Sequence, residues 1–417
     1  MLTGVVGGRR GEVSWAQPDN GTTGTGGDTG EFWGIQGTQG ETPMGLTNPA
    51  YRLPGHVAEA MREGRYRPGN GPWYCSRILP DNVPLIRQQL LDSGVSRWRV
   101  DTRYDAVAHG VLLATDTERT DEDCGAYRHC VIMRARAQLL LHPECVLGGW
   151  GAAGYHGLKY WADAAPILLL SDTVPPRGSD VTADAAEHPL RAAVRALPPG
   201  FDLERDTVTP DPAFPTLRVV SAPIALAQCL RSVLSGKHDW RTVEIAGLSH
   251  TDICAVQLLD AFTQCTTITH TQIREACRGI VGSRQLTRLL ALSMPGAESP
   301  RETELRLFVR EMLPDSHVWE TQVGVQYREE TSWGATRTRA TFFDLACRSL
   351  RIGLYYDGKH HEDADQTEKD FEQLQDLRDG QWIVVRINRK LMANPRKMLR
   401  QIALAIASAV IARSAAE

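Results

Sequence analysis

The 417-residue sequence lacks the cysteine patterns that mark disulfide scaffolds and zinc sites. Its nine cysteines contain no Cys-x-x-Cys pair, their number is odd, and their spacings are irregular. We therefore interpret them as reduced, mostly buried thiols of a cytoplasmic protein. Cys124, His129 and Cys130 lie close in sequence, but no second pair of ligands follows at a spacing that would complete a zinc site.

Long apolar segments and common phosphate- or zinc-binding motifs are also absent. The longest late apolar run, residues 402–412, is much shorter than the ~20 residues of a membrane-spanning helix. Residues 1–13 contain no continuous apolar core, so we expect no signal peptide and no membrane partner. Gly236-Lys237 lacks the upstream glycine of a phosphate-binding loop, and His360-His361-Glu362 is not an HExxH motif.

The length and composition predict a multidomain α/β protein. The chain is too long for one typical core, and its 42% hydrophobic content is ordinary for a globular protein. The net charge of −4 excludes a basic surface over the whole chain, so contact with nucleic acid requires local basic patches. We divide the chain into four segments. Residues 1–50 are a Gly-rich tail expected to be disordered, and residues 51–120 a winged helix-turn-helix-like domain. Residues 121–298 are an α/β middle domain, and residues 299–417 a mixed α/β C-terminal domain.

The second segment has the pattern of a helix-turn-helix followed by a β wing. Apolar residues at helical spacing between 85 and 91 precede a turn at 93–95, and Ser96 is a good N-cap for a second helix. Residues 107–114 then have the pattern of a wing. The second helix carries three candidate DNA contacts: Arg97, Arg99 and Arg103. A structural three-helix scaffold with solvated arginines is the alternative.

Apolar periodicity predicts further helices and strands in the middle and C-terminal segments. In the middle segment we predict strands at 166–170 and 217–220, a loop or insertion within 171–212, and helices at 223–235, 251–262, 271–278 and 283–292. In the C-terminal segment we predict a helix from Pro300, strands at 318–327, 339–347 and 350–356, a polar helix at 363–378, a strand at 382–387 and a helix at 395–413. The C-terminal order is a mixed α/β layer.

Two aspartates on adjacent predicted strands are the main candidates for chemistry. A tight turn at 348–351 places Asp344 opposite Tyr355, so Tyr355, Asp357 and Lys359 are expected on the same face as Asp344. Asp344 and Asp357 would then hold a hard cation, Mg²⁺ or Mn²⁺. A bound water would serve as the nucleophile on a phosphodiester.

Three further residues have candidate roles in the same reaction. Lys359 would stabilise charge on the phosphate, and Glu302 would support the hydrated metal from the preceding helix. His361 would act as a general acid or base, because its ordinary pKa lies near neutrality. Glu302 as a helix-capping carboxylate and His361 as a solvated loop residue are the alternatives.

Basic residues near the C-terminus form a second candidate nucleic-acid surface. Arg386, Arg389 and Lys390 lie in a stretch that contains no acidic residue up to Arg400. Such side chains would neutralise phosphates. A solvated helix face is the alternative.

Several motifs resemble a family of uncharacterised bacterial proteins. The matching residues are Ser299-Pro300-Arg301-Glu302-Thr303, Phe343-Asp344, Asp357-Gly358-Lys359-His360-His361, Asp370, Leu377, Trp382 and Arg386. The C-terminal domain of that family is similar to the very-short-patch-repair endonuclease of the PD-(D/E)xK superfamily. The front half, weakly matched at 151–158 and 219–230, resembles the antitoxin of abortive-infection systems. The resemblance implies a nuclease fold behind a DNA-binding or antitoxin-like front half.

One departure from the family pattern concerns the metal ligands. The family has Glu two residues before the Asp of its Asp-Gly motif, where this chain has Tyr355. Lys359 supplies a lysine that family members often lack. Either the ligand set has shifted to Asp344 and Asp357, or the domain is degenerate.

The sequence therefore predicts a metal-dependent DNA endonuclease that acts in repair or defence. A non-catalytic DNA-binding regulator, which contacts DNA through its helix-turn-helix, is the first alternative. A protein-interaction module with an inactive nuclease fold is the second. The oligomeric state is open.

Overall fold

The computed structural model describes residues 77, 79–115, 127–173, 188–330, 336–357 and 373–414. All of them belong to one compact unit of the chain, residues 44–417. The predicted tail at 1–50, the first part of the predicted polar helix, and Lys359 and His361 lie outside the described residues. In the described part, three separate sheets are flanked by helices, which confirms the α/β class.

The first sheet has three short strands in the order β1-β3-β2. Two helices lie between β1 and β2 in the chain. The elements are β1 (Leu85–Ile86), α1 (Arg87–Asp92), α2 (Arg97–Arg103), β2 (Tyr104–Ala108) and β3 (Val111–Ala114). The predicted helix at 85–91 begins only at Arg87, because Leu85 and Ile86 pair with Leu112 and Val111. The predicted second helix is confirmed as α2, and the segment predicted as a wing lies in the antiparallel β2–β3 hairpin.

The turn between α1 and α2 follows from two residues of its sequence. Gly94 has φ 90°, a left-handed conformation that costs glycine little. Its N–H bonds to the carbonyl of Leu91, and the N–H of Val95 bonds to that of Leu90, which is a Schellman C-cap. Ser96 accepts a hydrogen bond from the Arg99 N–H at 3.3 Å, which confirms the predicted N-cap.

The first sheet is fixed to the middle region by apolar packing and one buried arginine. Val107, Val111 and Leu113 pack against α3 (Val131–Leu141). From α3, the Arg136 guanidinium donates to the carbonyls of Pro80 and Asn82, both at 2.7 Å. The chain entering β1 is therefore held by the middle region.

The middle region contains a five-stranded mixed sheet in the order β6-β5-β4-β8-β7. Its strands are β4 (Val146–Gly148), β5 (Leu168–Ser171), β6 (Ala193–Ala196), β7 (Thr207–Val208) and β8 (Arg218–Val220). Its helices after α3 are α4 (Gly149–Tyr155), α5 (Leu203–Asp206), α6 (Ala222–Leu234), α7 (His250–Cys265), α8 (His270–Ala276) and α9 (Ser283–Leu292). The two predicted strands and the four predicted helices are confirmed.

The stretch at 171–212, which is predicted to carry a loop or insertion, also contains a short helix and short strands. Residues 174–187 lie outside the described residues, but β6, α5 and β7 occupy much of the remainder. These elements have 4, 4 and 2 residues, and β6 and β7 are the edge strands of their sheet. Such short edge elements carry too few positions for periodicity to be recognised.

The C-terminal region forms a four-stranded sheet in the order β12-β11-β10-β9, with β11 and β12 parallel. Its elements are α10 (Pro300–Val309), β9 (Glu320–Glu330), β10 (Thr336–Cys347), β11 (Ile352–Asp357), α11 (373–379), β12 (Ile383–Asn388), α12 (Arg389–Met392) and α13 (Pro395–Ser414). The predicted succession of helix, three strands, helix, strand and helix is confirmed, with the short α12 added.

Both faces of this sheet are covered. Leu305 of α10 and Ile402 of α13 pack with Leu345 on one face. Phe343 and Leu377 of α11 share a cluster on the other face. Trp382 lies 4.9 Å from Phe343 between ring centroids and packs against this second core.

Helix α10 is anchored in the middle region as well as in its own sheet. Asp260 of α7 accepts hydrogen bonds from Thr303 at 2.8 Å and from Arg306 at 2.7 Å. The buried Glu304 accepts from the side-chain amide of Gln257. The N-terminal turn of α10, where Glu302 lies, is therefore held in a fixed position against α7.

Two predictions concern cysteines and membranes. Every described cysteine is a thiol without a disulfide, and all but the half-buried Cys130 are buried, as expected. None of the helices in the described ranges is long and apolar enough to cross a bilayer.

Candidate functional site

Asp344 lies at the point where β10 and β11 stop pairing. The described ladder runs from Cys347↔Ile352 to Leu345↔Leu354 and does not continue to Asp344. Instead, the Asp344 carboxylate accepts a hydrogen bond from the Tyr356 N–H at 2.6 Å. A side chain thus takes the place of a ladder carbonyl, and the strands separate around a carboxylate.

Strand β9, which pairs with β10, is irregular opposite Asp344. Phe343 pairs with Val323 and Leu345 with Thr321, but the intervening Asp344 has no ladder partner on β9. Gln322, which faces that gap, has φ 50°, a conformation that costs a non-glycine residue roughly 1–3 kcal/mol. Its side-chain amide donates to the Glu302 carboxylate at 3.3 Å. The strained residue therefore links β9 to the helix behind it.

Glu302 stands in the first turn of α10 and makes the hydrogen bonds of a capping residue. Its carboxylate accepts from the Glu298 N–H and from the Ser299 hydroxyl, both at 2.8 Å. Ser299 in turn caps the helix by accepting from the Glu302 N–H. The capping interpretation therefore describes these contacts correctly, but capping is only part of the environment of Glu302.

The electrostatics place Glu302, Glu298 and Asp344 in one acidic group. Burial, followed by repulsion from Glu302, raises the pKa of Asp344 well above its usual range. The same two causes raise the pKa of Glu298 to about 8. Burial also raises the pKa of Glu302, against the hydrogen bonds it accepts. Within the described residues, neither Asp344 nor Glu302 has an ion-pair partner.

The expectation that Asp344, Tyr355 and Asp357 share one face is wrong. The Tyr355 ring packs 4.8 Å from Phe343, and its hydroxyl bonds to Thr341 at 2.7 Å. Phe343 precedes Asp344 in the strand, so their side chains point to opposite faces. The Asp344 carboxylate is instead close enough to Glu302 of α10 for repulsion, while the half-buried Tyr355 packs in the opposite core.

Asp357 ends β11 in an ion pair. Arg386 donates two hydrogen bonds to its carboxylate, at 2.8 and 3.2 Å. The predicted phosphate contact Arg386 is thus bound to a predicted metal ligand. Asp357 still contributes repulsion to Asp344, but less than Glu302 and Glu298 do. The other two predicted contacts of this surface, Arg389 and Lys390, are exposed on α12.

The predicted metal site is only partly assembled in the structure. Among the described residues, no group of three or more His, Cys, Asp or Glu side chains is arranged to hold a metal ion. Mg²⁺, however, is usually held by one or two carboxylates together with waters and substrate phosphates. The donor chemistry of Asp344 and Glu302 fits that mode, because both are acidic oxygen donors in a region where charge is unbalanced. Lys359 and His361 lie outside the described residues and remain predictions.

The predicted DNA-contacting helix α2 presents its basic side chains to solvent. Arg97, Arg99 and Arg103 are exposed, and none of the three has an ion-pair partner in the described part of the chain. Trp98, between two of them, is 74% exposed. Only Val100 of this helix is buried.

Sequence reasoning missed Glu298, Gln322 and the Tyr356 N–H. Glu298 lies four residues before Glu302, and two carboxyls at a helix entry were a usable signal. Gln322 carried no signal, because its positive φ depends on how two strands meet.

Comparison with known proteins gives no match to a family model, a curated protein or a solved structure. The resemblance to a nuclease family therefore remains a prediction carried by the motif residues.

Proposed function

We propose that this chain is a metal-dependent DNA endonuclease whose site is built on Asp344 and Glu302. The observation that carries the proposal is the half-buried acidic group at the separation of β10 and β11. Glu302 raises the pKa of both Asp344 and Glu298, and neither Asp344 nor Glu302 has a cationic partner among the described residues. Strongly perturbed carboxyls of this kind concentrate at functional sites.

The chain's own residues would position the metal ligands and hold them apart from bulk water. The Tyr356 N–H orients the Asp344 carboxylate, and Gln322 with Ser299 orients that of Glu302. A bound Mg²⁺ or Mn²⁺ would lower the pKa of a water and offset charge on the phosphate. Asp357 becomes a further ligand only when its ion pair with Arg386 opens.

The remaining catalytic roles rest on sequence. Lys359 would stabilise charge on the scissile phosphate, and His361 would transfer a proton to or from the leaving oxygen. Both follow Asp357 within four residues of the sequence.

DNA is the substrate that the first sheet favours. The chain order of strand, two helices and two strands, with the sheet order β1-β3-β2, matches a winged helix-turn-helix in which α2 is the recognition helix. Its three exposed arginines are suited to phosphates and to guanine edges.

The decisive experiment is plasmid nicking by the purified chain with Mg²⁺ or Mn²⁺. Asp344→Asn and Glu302→Gln each remove one charge with little change of shape, and each should reduce cleavage by about a hundredfold or more, the scale expected for loss of preorganised electrostatic stabilisation. Asp379→Asn, at an exposed position of the same domain, is the matched control and should cleave normally. Cleavage that survives Asp344→Asn rejects the proposed site.

A second function, a DNA-binding regulator without catalysis, is favoured by Tyr355 and Asp357. The first is a buried tyrosine at the position of a family carboxylate, and the second is neutralised by Arg386. This alternative would be established by duplex binding without any cleavage. The binding should need no metal and survive Asp344→Asn, and it should fail in the triple variant Arg97→Ala, Arg99→Ala and Arg103→Ala.

A further inference from the structure

Strands β9 and β10 extend beyond their sheet as a two-stranded ribbon. Their ladder continues from Phe342↔Gly324 to Thr336↔Glu330. The third strand, β11, pairs with β10 only at residues 345–347. We call residues 324–330 and 336–342 the ribbon. No further strand pairs with it among the described residues.

The outer part of the ribbon is exposed on both strands. Residues 336–340 are all exposed, as are Gln326 and Arg328 opposite them. Five residues of a strand span ~17 Å at ~3.3 Å per residue, so residues 326–330 reach well beyond the sheet. Isolated two-stranded hairpins are marginally stable in water. An extension of this length without a core of its own is typical of a surface that meets a partner.

One face of the ribbon leads back to Asp344. Arg328 pairs with Thr338, and Gln326 with Ala340, so these four side chains lie on one face. Alternation along β10 places Phe342 on that same face, and Asp344 follows two residues later in the same strand. A molecule lying along Arg328 and Gln326 therefore extends toward the acidic group.

The side chains of this face match the chemistry of DNA. Arg328 has no ion-pair partner among the residues whose side chains are described. Arg337, on the opposite face, is exposed and lies opposite Glu329 in the ladder. Arginine binds the two acceptors of guanine in the major groove, and glutamine binds adenine in the same way. That groove, ~12 Å wide, admits a two-stranded ribbon.

We propose that the ribbon inserts into the major groove of duplex DNA, with Arg328 and Gln326 on base edges and Arg337 on a flanking phosphate. This inference rests on the proposed function for its DNA substrate and adds the element that selects duplex. The small Gly324 and Ala340 near the sheet allow the groove wall to approach the ribbon backbone.

Metal-free binding separates this inference from cleavage. Anisotropy of a labelled duplex in a chelator should show about a tenfold or greater loss of affinity for Arg328→Ala, the scale of a bidentate base contact. Arg328→Lys keeps the charge but loses the bidentate geometry, so it should retain binding to random duplex and lose sequence preference. Arg337→Ala should weaken all duplexes alike and reduce the salt slope by about 1.

Arg195→Ala is the matched control, an exposed arginine on an edge strand of the five-stranded sheet. It should bind as the unmodified chain does. Duplex affinity unchanged in Arg328→Ala, or lost equally for duplex and single strands, overturns the proposal. Duplex binding that depends on Arg328, without any cleavage, would support the ribbon proposal and reject the nuclease proposal. Cleavage together with duplex binding that Arg328→Ala leaves unchanged would support the nuclease and reject the ribbon.

Discussion

Two buried charged groups in this protein are built in opposite ways. In the middle region, Asp211 accepts from Arg136 at 2.7 and 3.0 Å and from the Tyr155 hydroxyl at 2.6 Å. In the C-terminal region, Asp344 and Glu302 face each other without a cation among the described residues. The first group is neutral and fully hydrogen-bonded, and the second is an excess of like charge.

We propose that this difference separates a structural role from a functional one. The Arg136 guanidinium also binds the carbonyls that lead into β1, so the neutral group joins the first sheet to the middle region. Asp260 and Arg306 similarly join α7 to α10. The acidic group also accepts hydrogen bonds from neighbouring strands, but repulsion from Glu302 disfavours the charged form of Asp344 in the folded chain. Such a cost is consistent with a site that binds a cation.

The largest expected effect is loss of the neutral group. Asp211→Ala leaves the Arg136 charge buried and unpaired, which costs about 3–5 kcal/mol, measured as a fall in thermal midpoint. Glu320→Ala removes an exposed partner of Arg348 and should cost no more than about 1 kcal/mol. Equal effects of the two variants would contradict the structural role of Asp211.

The acidic group should make stability fall as pH rises. Folding raises the pKa of Glu298 from 4.5 to about 8, so the folded chain holds a proton that the unfolded chain has released. The stabilising contribution is complete below pH 4.5 and is lost as pH rises through about 8. Between pH 5.5 and 8 this amounts to roughly 3 kcal/mol, at about 1.4 kcal/mol per unit.

The matching control is Glu298→Gln, which cannot titrate. Thermal melts of both proteins across this range isolate the Glu298 contribution from all other carboxyls. The difference between the two midpoints should widen toward alkaline pH in favour of the variant. Parallel pH profiles would show that Glu298 is not buried beside Glu302.

Neutralising Asp344 should stabilise the metal-free protein. Asp344→Asn keeps an acceptor for the Tyr356 N–H and removes repulsion with Glu302. We expect a gain in thermal midpoint at pH 8 in a chelator, smaller than the loss in Asp211→Ala, because burial and repulsion from Glu302 both disfavour the Asp344 carboxylate. Asp379→Asn, at an exposed position, should change the melt little. A strong loss of stability in Asp344→Asn would assign Asp344 to the structure and not to a site.

The smallest effect concerns the helix that carries Glu302. Ser299→Ala removes the N-cap of α10 and one hydrogen bond to the Glu302 carboxylate. A loss of about 1 kcal/mol is expected from the cap alone. Ser299→Thr retains both hydrogen bonds and should restore the midpoint. Failure of the threonine variant to restore it would indicate that packing around Ser299, and not capping, is responsible.

Sequence reasoning located the elements of the site better than its geometry. Periodicity and Pro300 predicted α10, and alternation predicted the strands that carry Asp344 and Asp357. The prediction that Asp344 and Tyr355 share one face of the sheet failed because it assumed regular alternation of side chains through Asp344. The β9–β10 ladder is irregular at that residue. The partner of Asp344 depends on how α10 docks against the sheet, which is a long-range property that local patterns do not encode.

Binding of Mn²⁺ tests the central claim most directly. Calorimetric titration at pH 8 should show Mn²⁺ binding with proton release, because the metal displaces the protons held by Glu298, Glu302 or Asp344. The account predicts that Asp344→Asn abolishes both the binding and the proton release, and that Asp379→Asn leaves both intact. The account is contradicted if the unmodified chain does not bind Mn²⁺ even with duplex DNA present. It is also contradicted if Asp344→Asn binds Mn²⁺ as the unmodified chain does.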